Sequence, residues 1–355
     1  MTSSRRPGEK AATLYDVARV AGVSHQTVSR FLRGQPGIRP DTVDKVERAL
    51  VELDYQANVT ARNLRNGRTG MITLAVPSLN QPYFAELAQS VIHAAREVGL
   101  TVSVETMEDE RERELAVLSR SRGTLVDGVI FAPTAITAAD LAELKLGFPV
   151  VLLGDRIFDS DFDHVAMANA AGARLAVQHL IDLGRRRIAV IGIEPDGNLG
   201  ASQLRLRGYE QALAEAGIAL DPRLTVHGGA WTRAAGAEAV QRLIDSGVPF
   251  DALFGFNDAL ALGALRGLLR AGYRVPEDVA VVGFDDTEDA HFSTPSLTTI
   301  APGREEIARQ AVELLNKRIE SRSTDLTGHL ETEAPYRLVV RESTGEAPAT
   351  HDAAH

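Results

Sequence analysis

From Met71 onward the chain repeats one unit, a short β-prone run followed by a longer stretch with apolar residues at helical spacing. The runs are Ile72 to Val76, Thr101 to Glu105, Gly128 to Ala132, Val150 to Leu153, Arg187 to Ile193, Ala252 to Phe256 and Val279 to Phe284. Helical stretches between them include Pro82 to Val98, Ala170 to Leu183, Leu204 to Ala216 and Ala259 to Ala271. A strand, helix, strand order forces parallel pairing through right-handed crossovers, so the fold class is α/β. Seven such strands exceed what one compact unit usually holds, and they group before and after about residue 169. Two lobes are expected.

The first 68 residues obey a different rule. They hold twelve Lys/Arg against seven Asp/Glu, whereas residues 69–355 hold 26 against 41, so an overall charge of −10 hides a basic head on an acidic body. That asymmetry is the electrostatic footprint of a nucleic-acid-binding module. Thr13 and Asp16 form a capping box ahead of Leu14, Val17, Ala18 and Ala21, Gly22 supplies a turn, and Ser24 opens a second helix with Val28, Phe31 and Leu32 on one face. A third helix is expected from Asp41, after Pro40, with Val43, Val46, Ala49, Leu50 and Leu53 as its apolar stripe. This is a three-helix helix-turn-helix pattern. His25, Gln26, Ser29 and Arg30 are left outward near the leading end of the second helix, where Gln can pair with adenine and Arg with guanine in a major groove.

In the body, ligands of open α/β sheets bind beyond the carboxyl ends of the strands. The residues there are Ser78, Asn80, Pro82, Tyr83 and Phe84, then Asp155 and Arg156, then Asn257, Asp258, Asp285 and Asp286. Acid, amide and arginine groups of this kind make paired hydrogen bonds to neighbouring hydroxyls, and an aromatic face stacks on a sugar. Trp231, the only tryptophan, is a candidate for stacking or for core packing.

Thr13-Leu14-Tyr15-Asp16-Val17-Ala18, Ala21-Gly22-Val23-Ser24 and Gln26-Thr27-Val28-Ser29-Arg30 resemble the headpiece of the lactose/galactose repressor family. Phe256-Asn257-Asp258, Val281-Val282-Gly283-Phe284-Asp285-Asp286 and Pro295-Ser296-Leu297-Thr298-Thr299-Ile300 resemble blocks of its two-lobed, periplasmic-binding-protein-like body. The resemblance implies that His25, Gln26, Ser29 and Arg30 read bases, and that Thr13, Ser24, Thr27, Arg62 and Arg65 lie near phosphates. It implies a hinge in which Leu64, with Asn58 and Ala61, enters the minor groove; alone, that segment is too short for a stable helix. It also implies effector contacts at Arg205, Asn257, Asp285, Trp231, Phe84 and Asp155. His25 stands where the lactose repressor has a tyrosine, and Leu153-Gly154-Asp155-Arg156 carries an extra glycine before its aspartate.

The expected organisation is a head over 1–57, a hinge over 58–69 and a body over 70–345. Within the body, one lobe takes about 70–169 and 301–329, the other about 170–300 and 330–345, and 346–355 form a disordered tail. That tail has no leucine heptad, whereas the lactose repressor tetramerises through a C-terminal helix, so a homodimer is expected. The chain has no cysteine, which removes thiolate zinc sites and cysteine nucleophiles. It has no apolar run long enough to cross a membrane and opens on a polar stretch, so a cytoplasmic protein is expected. No nucleophile elbow, phosphate loop or zinc-protease motif is present, and no enzyme activity, cofactor or metal is expected. The expected function is repression at a palindromic operator, relieved by a small effector, a sugar before a purine. A corepressor-dependent regulator with a purine or other ligand, or a sugar-binding transport protein, is the alternative.

Overall fold

The computed structural model describes residues 12–32, 37–53, 55, 68–121, 126–144, 146–158, 160–194, 200–321 and 328–345. The chain divides after Thr69 into two compact units. Asn58, Ala61, Arg62, Leu64 and Arg65 of the expected hinge, and the tail 346–355, lie outside the described residues.

The first unit is three helices, α1 (Leu14–Ala21), α2 (His25–Leu32) and α3 (Pro40–Glu52). The capping box forms: Asp16 N–H donates to Thr13 Oγ1 at 3.3 Å, and Thr13 N–H donates to Asp16 Oδ2 at 2.9 Å. Gly22 closes α1 with φ 65°, a left-handed conformation that favours glycine. The third helix begins at Pro40 rather than Asp41, and proline suits that first position because its missing N–H has no partner to lose. Val17, Ala18, Ala21, Val28, Val46 and Ala49 are buried between the helices.

The second unit holds two six-stranded sheets. The first is built from β1 (Met71–Val76), β2 (Thr101–Thr106), β3 (Gly128–Phe131), β4 (Val150–Leu153), β5 (Asp163–Ala166) and β11 (Glu331–Glu333), ordered β11-β5-β4-β3-β1-β2 and parallel throughout. The second takes β6 (Ile188–Ile193), β7 (Thr225–His227), β8 (Ala252–Gly255), β9 (Ala280–Phe284), β10 (Thr298–Ala301) and β12 (Arg337–Val339), ordered β12-β10-β9-β8-β6-β7. The sheet is parallel as expected except for its β10–β12 pair, which is antiparallel.

Helices α4 (Pro82–Glu97), α5 (Arg111–Ser121), α6 (Ala138–Glu143) and α12 (Arg304–Ser321) accompany the first sheet. The second has α7 (Asn169–Asp182), α8 (Ala201–Glu215), α9 (Arg233–Asp245), α10 (Asp258–Arg270) and α11 (Glu288–Phe292). The chain passes between lobes at 167–168, 302–303 and 334–336. The last passage corrects the expectation that 330–345 belong to the second lobe: β11 pairs with β5 through Glu331 opposite His164, so the first lobe keeps the chain to Glu333. That short strand has no apolar run to announce it. β5 is equally hidden, because two of its four residues are the buried Asp163 and His164. Arg318 satisfies Asp163 with two bonds, at 2.7 and 2.9 Å, and Leu330 N–H adds a third at 2.9 Å. A paired carboxylate can thus occupy a core strand.

Candidate functional site

On the head, His25, Gln26 and Arg30 are exposed and Ser29 is half-buried, all on the helix that Ser24 opens. Thr27 N–H donates to Ser24 Oγ at 3.1 Å, and the hydroxyls of Ser24 and Thr27 meet at 2.9 Å. The hydroxyls of Thr13, Ser24 and Thr27 therefore serve helix caps here, with Thr13 Oγ1 also donating to Asp16 at 2.6 Å. The Tyr15 ring, 69% exposed, lies 5.2 Å from the His25 ring at a 34° tilt. Tyr15 was not singled out from the sequence as a contact. Its exposure on the same face as His25 marks it as part of the surface.

In the body the second site is organised by one buried cation. Arg205, on α8, is 3% exposed. Its Nε donates to Asn169 Oδ1 at 2.6 Å, another nitrogen donates to Phe256 O, and a third lies 3.2 Å from the Met167 sulfur and 3.7 Å from Asp285 Oδ1. The guanidinium sits 3.7 Å over the Phe284 ring and 5.3 Å from that of Trp231. Burial pulls the Arg205 pKa down, while Asp285 and Asp155 oppose that shift. The Asp285 carboxyl is held well above the usual range, by burial first, with Arg205 counteracting. Asp155 is raised for the same reason, its oxygen receiving only Met167 N–H at 3.3 Å among backbone donors.

Arg205, Asp285, Asp155, Asn257 and Trp231 are thus brought to one place by the strand ends of both lobes, as the topology requires. Two of them are partly committed. Asn257 Oδ1 caps α10 by accepting Leu260 N–H at 2.8 Å, and its amide donates to Trp231 O at 3.3 Å. Trp231 Nε1 donates to Gly192 O at 3.1 Å, with the ring edge-on to Phe256. Phe84 is half-buried beside Tyr83, 5.3 Å between centroids, and it is Tyr83 that faces the cluster: burial pushes its phenol pKa up, and Asp285 and Asp155 push it further. Asn169, which no motif marks, is a polar member that sequence reasoning passed over. Its place next to the first passage between lobes is its only signal.

The lobes are tied beside the cluster. Glu86, on α4, pairs with Arg304 at 2.7 Å and accepts Glu288 N–H of the second lobe at 3.0 Å. Arg304 in turn reaches the carbonyls of Asp285 and Asp286 at 3.5 and 3.4 Å. Two concavities are not lined by Arg205, although Asp285 lines the second. One of about 370 Å³ sits at the opposite strand ends, by Arg186 and Pro249; one of about 300 Å³ lies behind Asp285, by Gly303 and Tyr336. Arg205 itself is buried, while Trp231 and Phe84 are half-buried. Among the described residues no helix is long and apolar enough to cross a membrane.

Comparison with known proteins agrees with both halves. Residues 13–58 match the family model for bacterial regulatory proteins of the lacI family, and residues 177–344 match that of the periplasmic binding protein-like domain. Catabolite control protein A of Priestia megaterium is 31% identical over 94% of this chain and 99% of its own length. The ribose operon repressor of Halalkalibacterium halodurans is 33% identical over 94% and 97%. Among solved structures, the lac repressor dimer bound to operator and the anti-inducer ONPF superposes with a TM-score of 0.81 at 28% identity, covering 95% of this chain and all of that one. A complex of the transcriptional regulator CelR with cellobiose gives 0.68 at 33%, covering 94% and 99%. With a helix-turn-helix head, a two-lobed α/β body and relatives matched along nearly their whole length, this chain belongs to the lacI family of bacterial transcription regulators.

Proposed function

We propose that the chain represses transcription as a homodimer on a palindromic operator and is released by a neutral carbohydrate held between the lobes. The observation that carries the ligand half is the Arg205 cluster. It sets two buried carboxylates and two amides around a single cation, so it offers a sugar's hydroxyls several acceptors and donors but offers an anion little net positive charge. Trp231 and Tyr83 supply rings against which a sugar face can lie. The cellobiose complex and the ribose operon repressor support the same class of ligand. In the head, His25, Gln26, Ser29 and Arg30 read bases while Leu64, with Asn58 and Ala61, opens the minor groove at the hinge, and Arg62 and Arg65 approach phosphates. The protein acts in the cytoplasm, where the operator is, and carries out no chemistry on its ligand.

Because the cluster draws side chains from both lobes, with Asp155 from the first and Arg205 and Asp285 from the second, ligand binding biases how the lobes close. A tenfold loss of operator affinity needs only about 1.4 kcal/mol of differential binding between the two states. The test uses an operator selected from random DNA and followed by fluorescence anisotropy while ribose, cellobiose and purine bases are titrated. Trp231 fluorescence, from the sole tryptophan, reports occupancy of the body in the same samples. Release by a sugar with a concurrent Trp231 change is expected. A purine that tightens operator binding, with no response to sugars, would replace this reading by the corepressor one.

A further inference from the structure

One buried carboxylate beside the cluster makes no hydrogen bond to Arg205 and is not among the expected effector contacts. Asp258, the first residue of α10, is fully buried. Its Oδ1 accepts Thr299 Oγ1–H at 2.6 Å, and its Oδ2 accepts Thr287 N–H at 2.8 Å and Thr287 Oγ1–H at 3.1 Å. Space for it exists because position 283 is glycine: a Cβ there would collide with Asp258 Oδ1. The carboxylate thus ties α10 to β10 and to the loop that follows β9.

That loop carries Asp285 and is strained. Asp285 has φ 122° and Asp286 φ 51°, left-handed values that side chains larger than glycine avoid and that persist only where the surroundings over-determine them. The loop's three successive amides show what does so. Asp285 N–H donates to Ile300 O at 2.9 Å, Asp286 N–H reaches Thr299 Oγ1 at 3.4 Å, and Thr287 N–H donates to Asp258. Thr299 passes its own proton on to Asp258, so two of the three amides end, directly or through one hydroxyl, on this carboxylate.

We propose that Asp258 is the positioning residue of the ligand cleft: by taking up the amides after Asp285, it holds the strained turn that aims the Asp285 carboxylate at Arg205 and at the ligand. The inference rests on the carbohydrate reading for the word ligand, but its geometric half does not. Asp258 is in turn held by charge. Asp285 and Asp286 repel it, Arg205 attracts it, and Arg341 and Arg337 neutralise Asp286 at 2.6 and 3.9 Å. Burial, with the repulsion from Asp286, outweighs the hydrogen bonds from Thr299 and Thr287 and pushes its carboxyl up to about 7.

The test compares the full-length protein with Asp258→Asn, whose amide would present N–H groups to donors, and with Thr299→Val, which breaks the relay and spares the carboxylate. Amide hydrogen exchange of the ligand-free proteins should lose protection at 285–287 by tenfold or more in both variants, while β6 and β8 keep theirs. Affinity for ribose or cellobiose, whichever the native protein binds, should fall at least tenfold in both. Unchanged exchange at 285–287, loss of protection spread evenly over the second sheet, or native sugar affinity in both variants overturns the proposal. If the exchange result holds while no sugar binds even the native protein, the positioning role stands and the carbohydrate reading falls. Should Asp258→Asn not fold, Thr299→Val alone decides.

Discussion

Replacing Arg205 by Met keeps a long side chain in the buried slot and removes the charge. Arg205 and Asp285 are 3% and 7% exposed and 3.7 Å apart, so at an effective dielectric of about 20 their attraction is about 4.5 kcal/mol. That agrees with the roughly 3–5 kcal/mol generally lost when one member of a buried pair is removed and the other is left uncompensated. Arg205→Met should therefore destabilise the body by about 3–5 kcal/mol. Its lost hydrogen bonds to Asn169 and Phe256 O add to the cost, and protonation of Asp285 limits it. Asp285→Asn leaves a buried arginine and should also destabilise. The double variant, with neither charge, should recover about 2–3 kcal/mol relative to the sum of the singles. Sugar binding should not recover, because both groups proposed to grip the ligand are gone. Urea unfolding followed by Trp231 fluorescence measures the body separately, since the head contains no tryptophan. Simple additivity of the two substitutions would refute the idea that these residues form one energetic unit, and recovery of sugar affinity in the double variant would refute their role in holding it.

Three other outcomes test the remaining parts. Thr13→Ala removes one half of the α1 capping box and should cost the head about 1 kcal/mol, seen as a lower melting temperature of the head by circular dichroism with the body unaffected. Operator affinity should fall with a log–log salt slope of about −0.9 for each phosphate neutralised, and Gln26→Ala should cost about 1–3 kcal/mol at one base pair while leaving that slope unchanged; a flat salt response would count against the interface. Burial pushes the Asp258 carboxyl up to about 7 in the folded body, above its usual 3.8 when unfolded, so the stability linked to it is fully present below about 4 and is lost as pH rises to 7. The body's unfolding free energy in urea should accordingly fall between about pH 4 and 7, by up to about 1.4 kcal/mol per pH unit for this group, level off above 7, and lose this slope in Asp258→Asn.

Much of the fold was legible because its signals are local. The Thr13-Asp16 box, the turn at Gly22 and the stripe from Val43 to Leu53 each act within a few residues, and each appears in the head as read. The long strands β1, β6 and β9 were equally plain, since their residues are buried almost throughout and must be apolar. Strands β5, β7, β10, β11 and β12 were not. They are three or four residues long, and β5 carries an aspartate whose burial is tolerable only because Arg318, far along the chain, arrives beside it. The placement of Glu331–Glu333 in the first lobe rests on the same kind of distant pairing.

The site divides along the same line. Arg205, Asp285, Asn257 and Trp231 could be named from motifs at strand and helix ends, because the parallel α/β order already sends those ends to one side. Sequence determined the two-part organisation, the reading helix and this list of polar residues. Tertiary structure decided that Arg205 is the hub, that Asn169 and Tyr83 join it, that Asn257 is half spent on capping a helix, and that Asp258 backs the strained turn. Those assignments depend on burial and on hydrogen bonds mostly between residues dozens of positions apart, such as Arg205 with Asn169 and Asp258 with Thr299, and neither quantity exists until the second lobe has folded.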